Sequence, residues 1–354
     1  MNTKVVKIFA VLFFWMVATM AATSMYFWHW LYTPHQVEHE EFVFTVNKGA
    51  SLYSVANDLQ QLSVLRWPTI WVWYARATKQ TGLKTGEYVL QGDESPVAVL
   101  RKLLSSDVVK YHVTLVEGST FKDFVNTLHQ QEKLSKQLVP GEELIQLHAR
   151  GLDIEHPEGW FFPDTYQYVA GDSDLSILFR AYKKMQAMLE QEWEARAEGL
   201  PYSNPYEALI MASIVEKETG VAHEREEIAG VFVRRLQLNM RLQTDPTVIY
   251  GMGDLYNGNI TRKDLRTDTP YNTYVIRGLP PTPIAMPGRG AIYAALHPEE
   301  GDALYFVAKG DGTHQFSATL DEHINAVNQY QKKRRKDYRS SPERKSLDEK
   351  SDEQ

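Results

Sequence analysis

The chain has 354 residues, a formal charge of −7 and no cysteine. That excludes disulfides, thiol catalysis and thiolate zinc sites, and the missing basic excess excludes nucleic acid as a partner. A chain of this length can bury a sizeable core, and the length predicts two domains beyond any terminal segments.

In chain order, the first informative segment runs from Ile8 to about Trp28 and carries no charged residue. Its length suits the roughly 20 residues a helix needs to cross a bilayer core. Lys4 and Lys7 precede it, and Trp28, Trp30 and Tyr32 follow, as interfacial aromatic residues do. The pattern predicts a cytoplasmic N-terminus over residues 1–7, a transmembrane helix over 8–29 and a linker over 30–41, polar from Thr33 on. The competing reading is a cleaved export signal, for which Ala21-Ala22-Thr23-Ser24 offers small residues. Both readings export the rest of the chain.

Two stretches then repeat one logic. Phe44 to Leu59 and Val113 to Leu128 each read as a short strand, a glycine turn, a Ser or Thr cap and a helix. Leu52, Val55, Ala56 and Leu59 form the first apolar stripe; Phe121, Phe124, Val125 and Leu128 form the second. Between the copies, Trp67 to Arg76 predicts a helix with Pro68 in its first turn, Gly86 to Leu90 a strand, and Pro96 to Leu104 a helix. The strand-turn-helix pattern resembles the opening half of a LysM module, a βααβ carbohydrate-binding unit. A plain packing unit that binds nothing has the same pattern. The resemblance implies a small LysM-like domain over residues 42–106.

Residues 107–331 predict a larger mixed α/β domain, with long helices around Leu175–Ala195 and Tyr206–Lys217 and a strand at Ala303–Val307. The tail from 332 to 354 is charged and polar, including Lys332-Lys333-Arg334-Arg335-Lys336, and predicts disorder. The fold class is α+β: a transmembrane helix, the small LysM-like domain and the larger catalytic domain.

The segment Tyr206 to Glu218 is apolar nearly all round, so it predicts a helix buried in the core. At 100° per residue Glu218 falls between Ile214 and Val215 and above Met211. Thr219-Gly220 follow, and the glycine predicts a helix stop. An acid among apolar neighbours at a helix C-terminus has its pKa raised, which suits a proton donor to a glycosidic oxygen. Glu216 projects from the other side and is expected to pair with Arg234 or Arg235.

Around it stand further blocks in order. They are Glu158 to Tyr166, Ala212 to Thr219, Val231 to Leu236, Leu242 to Gly251, Pro270 to Tyr274, Gly278 to Ile284, Pro287-Gly288, Leu304 to Val307 and Gly312 to Ser317. Together they resemble the endolytic murein transglycosylase, or YceG-like, family, over roughly Phe44 to Asn325 plus the anchor. Trp160 and Met286 depart from the pattern, where a smaller side chain and Asn are usual.

The resemblance implies a lytic transglycosylase of the inner membrane, with its bulk in the periplasm, that cuts peptidoglycan glycan strands. It implies Glu218 as the single acid and base, breaking the MurNAc-β-1,4-GlcNAc bond and leaving a 1,6-anhydro end that terminates the strand. Glycosidases that use water need two carboxyl groups instead; for such a hydrolase Asp245, Glu158 or Asp164 is the second candidate. A third reading is a non-enzymatic peptidoglycan-binding scaffold. Gln243, Thr244, Asp245 and Thr247 on one Pro-bounded loop, and Tyr271, Asn272, Thr273 and Tyr274 on another, are the candidate sugar-binding groups. Asp245 also reads as a cap before Pro246, and His314 as a core or loop residue. There is no His-Glu-x-x-His or Gly-x-Ser-x-Gly, and Gly251-Met252-Gly253 fails the dinucleotide fingerprint. No metal or cofactor is expected. The expected partners are glycan strands, the inner membrane and, by the resemblance, peptidoglycan synthases (penicillin-binding proteins).

Overall fold

A computed structural model describes residues 3–34 and 40–332; part of the expected linker and nearly all of the expected tail lie outside them. Two compact units divide the chain. The smaller holds residues 1–112 with the returning segments 132–135 and 167–173, and the larger holds the rest. The whole is mixed α and β.

The smaller unit begins with α1 (Thr3–Tyr32), whose span Val6–Tyr32 is long and apolar enough to cross a membrane. Next come β1 (Glu41–Val46), α2 (Leu52–Gln61), α3 (Pro68–Ala77), β2 (Gly86–Gln91) and α4 (Pro96–Leu104). Strands β1 and β2 pair antiparallel, Glu41 opposite Gln91 and Val46 opposite Gly86. The helix starts follow from the sequence. Ser51 accepts from the Ser54 N–H and Ser95 from the Ala98 N–H, while Pro68 and Pro96 occupy first turns where no N–H partner is needed. Trp71, Tyr88, Leu59 and Leu100 fill the core, and the Trp71 indole donates to the Pro96 carbonyl at 2.8 Å.

The end of α1 belongs to this core, which the sequence reading did not anticipate. Trp30 and Leu31 are 4% and 5% exposed. Of the three aromatic residues expected at the membrane interface, Trp28 and Tyr32 stay exposed and Trp30 packs inward at 5.0 Å from the Trp67 ring. Positions 28 and 30 lie about 200° apart around a helix, so one face cannot hold both.

The chain changes unit within β3 (Lys110–Thr114) and again within β4 (Thr165–Val169), which pair with each other. The larger unit contains α5 (Phe121–His129), α6 (Glu143–Ala149), α7 (Asp174–Glu194), α8 (Pro205–Glu218), α9 (Arg225–Gln237), α10 (Asp245–Met252) and α11 (Arg289–Leu296). It ends with the antiparallel β5 (Tyr305–Ala308) and β6 (His314–Ser317) and with α12 (Leu320–Tyr330). The second copy of the sequence repeat appears here as expected: Thr120 caps α5 in a reciprocal box with Asp123. Gly49 and Gly118 take φ of 79° and 75° at the two equivalent turns, a region that favours glycine.

Helix α8 is the axis of the larger unit. It is buried continuously from Ala208 to Val215 and flanked by α7, α9, α10 and α11. Asn204 caps it by accepting from the Glu207 N–H, and Pro205 takes its first position. Its C-terminus departs from expectation. Gly220 is not left-handed; Thr219 turns extended at φ −141°, ψ 137°, and its hydroxyl accepts from the Val221 N–H at 3.0 Å. A β-branched residue favours that extended state, and the stop leaves Glu218 as the last helical residue.

Candidate active site

Glu218 lines a cavity of about 470 Å³ together with Arg235, Gln243, Thr244, Asp245, Tyr274 and Tyr305. The size is that of an ordinary ligand pocket. Its helix explains its placement: α8 is buried from Ala208 to Val215, so the turn that carries Glu218 continues a segment anchored in the core. Burial pushes the Glu218 pKa up to about 7, and nearby Asp245 adds to the rise; the Thr244 hydroxyl and the Arg235 charge oppose it. Near neutral pH the group is therefore present in both its acid and its base form, which suits general acid–base work.

The loop before α10 delivers the partner of Glu218. The Thr244 hydroxyl donates to Glu218 Oε1. Thr244 itself is 2% exposed and held from three directions. Its N–H donates to Thr273 Oγ1 at 3.0 Å, and its carbonyl accepts from Thr247 Oγ1 at 2.8 Å. Thr247 and Thr273 hydroxyls join at 2.8 Å. The Gln243 N–H donates to the Thr273 carbonyl at 3.1 Å, and Gln243 adopts φ of 53°, costly for a residue with a side chain. Three buried threonines thus fix one hydroxyl against one carboxyl.

The sequence-derived candidates divide accordingly. Thr244, Thr247, Asn272 and Thr273 are buried, with their polar groups engaged inside the protein. Asn272 donates its amide to the Asp264 and Thr267 carbonyls at 3.0 and 2.7 Å and accepts from the Tyr274 N–H at 3.0 Å. Gln243, Asp245 and Tyr274 face the cavity. The Tyr274 hydroxyl donates to Asp245 Oδ1 at 2.6 Å, so Asp245 is held as a ligand of the wall as well as opening α10. Tyr271 does not line this cavity. It packs edge-on to Tyr250 at 5.0 Å and meets the Thr282 hydroxyl at 2.9 Å. Gly251 permits that approach, since a Cβ there would come within 2.9 Å of Tyr271.

Residues 44–329 match the YceG-like family. The chain belongs to that family. The endolytic murein transglycosylase of Bacillus subtilis is 31% identical over 302 residues, covering 80% of this chain and 83% of the relative. The protein of the same name from Streptococcus pneumoniae is 27% identical over 296 residues; the aligned part is 74% of this chain but 53% of that relative. The crystal structure of a YceG-like protein from Listeria monocytogenes superposes with a TM-score of 0.52 at 30% identity, covering 81% of this chain and 98% of that one.

In this YceG-like chain several expectations about neighbours of Glu218 change. Glu216 does not pair with Arg234 or Arg235. It lies 3.6 Å from Arg225 and accepts from the Gly288 N–H at 3.0 Å. Arg234 instead donates to the Ala303 and Glu299 carbonyls. Arg235 donates to the Leu304 and Leu242 carbonyls at 2.7 and 2.6 Å and sits 5.2 Å from the Tyr305 ring centre, on the cavity wall. His314 pairs with buried Glu224 at 2.8 Å and does not face the cavity. Trp160 stacks on Tyr206, planes 10° apart. Met286 exchanges backbone hydrogen bonds of 2.8 Å with Gly118 and Ser119.

Arg235, Tyr305 and His323 are polar or aromatic wall residues among those that sequence reasoning missed. His323 stacks on Tyr305 at 5.1 Å, and both line the cavity. They come from α9, β5 and α12, and no local pattern links such distant positions.

Proposed function

We propose that this chain is a lytic transglycosylase, a lyase, that cleaves the MurNAc-β-1,4-GlcNAc bond of peptidoglycan strands with Glu218 as acid and then base. The observation that carries the reading is a carboxyl group lifted to about 7, aimed by a buried helix into a cavity and held by one hydroxyl. The family membership and the names of the relatives support the same chemistry. Protonated Glu218 gives its proton to the bridging oxygen as the bond to the MurNAc anomeric carbon breaks. The sugar's own 6-hydroxyl then attacks that carbon, and its proton returns to Glu218. No water is consumed, the product is a 1,6-anhydro end, and one carboxyl group suffices. The substrate acetamido group stabilises positive charge at the anomeric carbon, and Gln243, Asp245 and Tyr274 present amide, carboxylate and hydroxyl groups toward the sugars.

We read α1 as a single-pass anchor in the inner membrane, with the short Lys-bearing N-terminus in the cytoplasm and the chain after α1 in the periplasm. The β-α-α-β order of the smaller unit supports a LysM-like, glycan-binding role. Cleavage of nascent strands there terminates their elongation, which makes peptidoglycan synthases the fitting partners.

Mass spectrometry of sacculi digested with the full chain, and with Glu218→Gln beside it, tests this. Anhydro ends made by the natural chain alone support the lyase. Reducing ends would instead make Asp245, in the same cavity, the water-activating partner of a hydrolase. Undiminished cutting by Glu218→Gln would remove Glu218 from the chemistry.

A further inference from the structure

The join between α1 and the smaller unit carries information about depth. The Trp67 ring lies 5.6 Å from Tyr26, 5.3 Å from Phe27 and 5.0 Å from Trp30, edge-on to each. Tyr26 and Phe27 lie inside the apolar span Val6–Tyr32. The charge-free run from Ile8 to Trp28, at about 1.5 Å per residue, matches the roughly 30 Å hydrocarbon core of a bilayer. Its last turns therefore stand at the outer boundary of that core. A side chain in contact with Tyr26 and Phe27 stands at the same level.

A second contact sets the direction. Near the other end of α3, the Tyr74 hydroxyl meets the Tyr32 hydroxyl at 2.8 Å. Going from Trp67 to Tyr74, the partners on α1 move up from Tyr26, Phe27 and Trp30 to Tyr32. Helix α3 thus starts low and rises away from the hydrocarbon. The loop leading into it carries Leu62, 48% exposed, and exposed Arg66, whose guanidinium sits 4.9 Å from the Trp67 ring centre. An apolar side chain, an indole and a cation on one short loop are the groups that suit the ester and phosphate layer of a bilayer.

We propose that the α2–α3 loop, residues 62–67, is seated in the outer headgroup layer of the bilayer that α1 crosses, so that the smaller unit stands on the membrane at a fixed height. The inference rests on reading α1 as an anchor. Its occupant is the lipid surface, because the loop is continuous with the span through Trp67. The Arg66 guanidinium meets lipid phosphate at that depth, and Trp67 fills the boundary between the apolar and polar layers.

The chain has no cysteine, so single cysteines can be placed at Leu12, Arg66 or Thr81 of the full-length protein and labelled with an environment-sensitive fluorophore. The labelled proteins are reconstituted in vesicles of phosphatidylethanolamine and phosphatidylglycerol containing doxyl quenchers near the headgroup or deep in the acyl chain. The expected result is deep-quencher loss at position 12, at least about twofold headgroup-quencher loss at 66, and none at 81. Quenching at 12 with position 66 as dark to quencher as 81 overturns the proposal while leaving the anchor intact. No quenching at 12 removes the anchor itself, and the seated loop with it. Equal quenching at 66 and 81 overturns the rising path of α3 and therefore the proposed seat.

Discussion

The larger unit holds two acids that desolvation pushes to the same value, about 7, in opposite circumstances: part-buried Glu218 and buried Glu158. Glu158 is 3% exposed. One of its oxygens accepts from the Phe121 N–H at 2.9 Å, at the start of α5, and the other from the Tyr250 hydroxyl at 3.1 Å. It does not line the cavity beside Glu218. Glu218 has one hydroxyl partner and an open side. The contrast teaches that a raised pKa marks burial, while access and unspent hydrogen-bonding capacity mark chemistry. It also weakens Glu158 as the second carboxylate of a hydrolase. Asp164 is weaker still in that role, since its ion pair with Lys184 helps to hold its pKa low.

The sharpest way to break the comparison is to neutralise each acid in turn. Glu218→Gln should lower strand cleavage by about 10³-fold or more while glycan pull-down and thermal unfolding stay near those of the natural chain. Glu158→Ala should act on stability instead. It leaves the Phe121 N–H and Tyr250 hydroxyl buried without their partner, at a cost of about 2–4 kcal/mol in urea unfolding. If Glu158→Ala abolished cleavage with unchanged stability, the assignment of roles would be reversed.

Smaller effects sharpen the picture. The folded pKa of Glu158, about 7, exceeds its ordinary 4.5, so the folded state binds that proton more tightly than the unfolded chain. The stability it contributes is full below about pH 4.5 and is lost as pH rises through 7. Glu158→Gln should flatten the fall of unfolding free energy across that window by up to about 3 kcal/mol. Urea midpoints at both ends of the window measure it, and an unchanged slope would count against the shifted pKa. Smallest is Thr244→Val. It removes the hydroxyl that favours charged Glu218, so the pH optimum of cleavage should move up, with a rate loss of roughly fivefold, about 1 kcal/mol. Thr244→Ser should restore both. A rate loss with no movement of the optimum would mean that the hydroxyl only shapes the loop.

Much of this architecture is legible in the sequence. Helices α3, α4, α7 and α8 announced themselves through proline at a first turn or through apolar periodicity, because those signals are local. Both copies of the strand-turn-helix repeat formed for the same reason. Glu218 was legible because the helix bearing it is apolar all round, which forces burial. Its surroundings were not. Thr244 reaches it across 26 positions of sequence, and the threonine network depends on Gln243 entering a left-handed conformation that no residue type there advertises. Charge pairing misled for Glu216: Arg234 and Arg235 are spent on backbone carbonyls before β5 and at Leu242, while Arg225 takes the carboxylate. The aromatic cluster after the apolar run suggested lipid for all three rings, yet helical geometry turned Trp30 into the protein.

That inward turn has a practical consequence for anyone preparing a soluble fragment. Trimming the gene at the end of the apolar helix, after residue 32, would delete Trp30 and Leu31 and leave an unfilled socket against Trp67. Such a fragment should be sticky and prone to self-association, whereas one beginning near Met25 keeps its own plug.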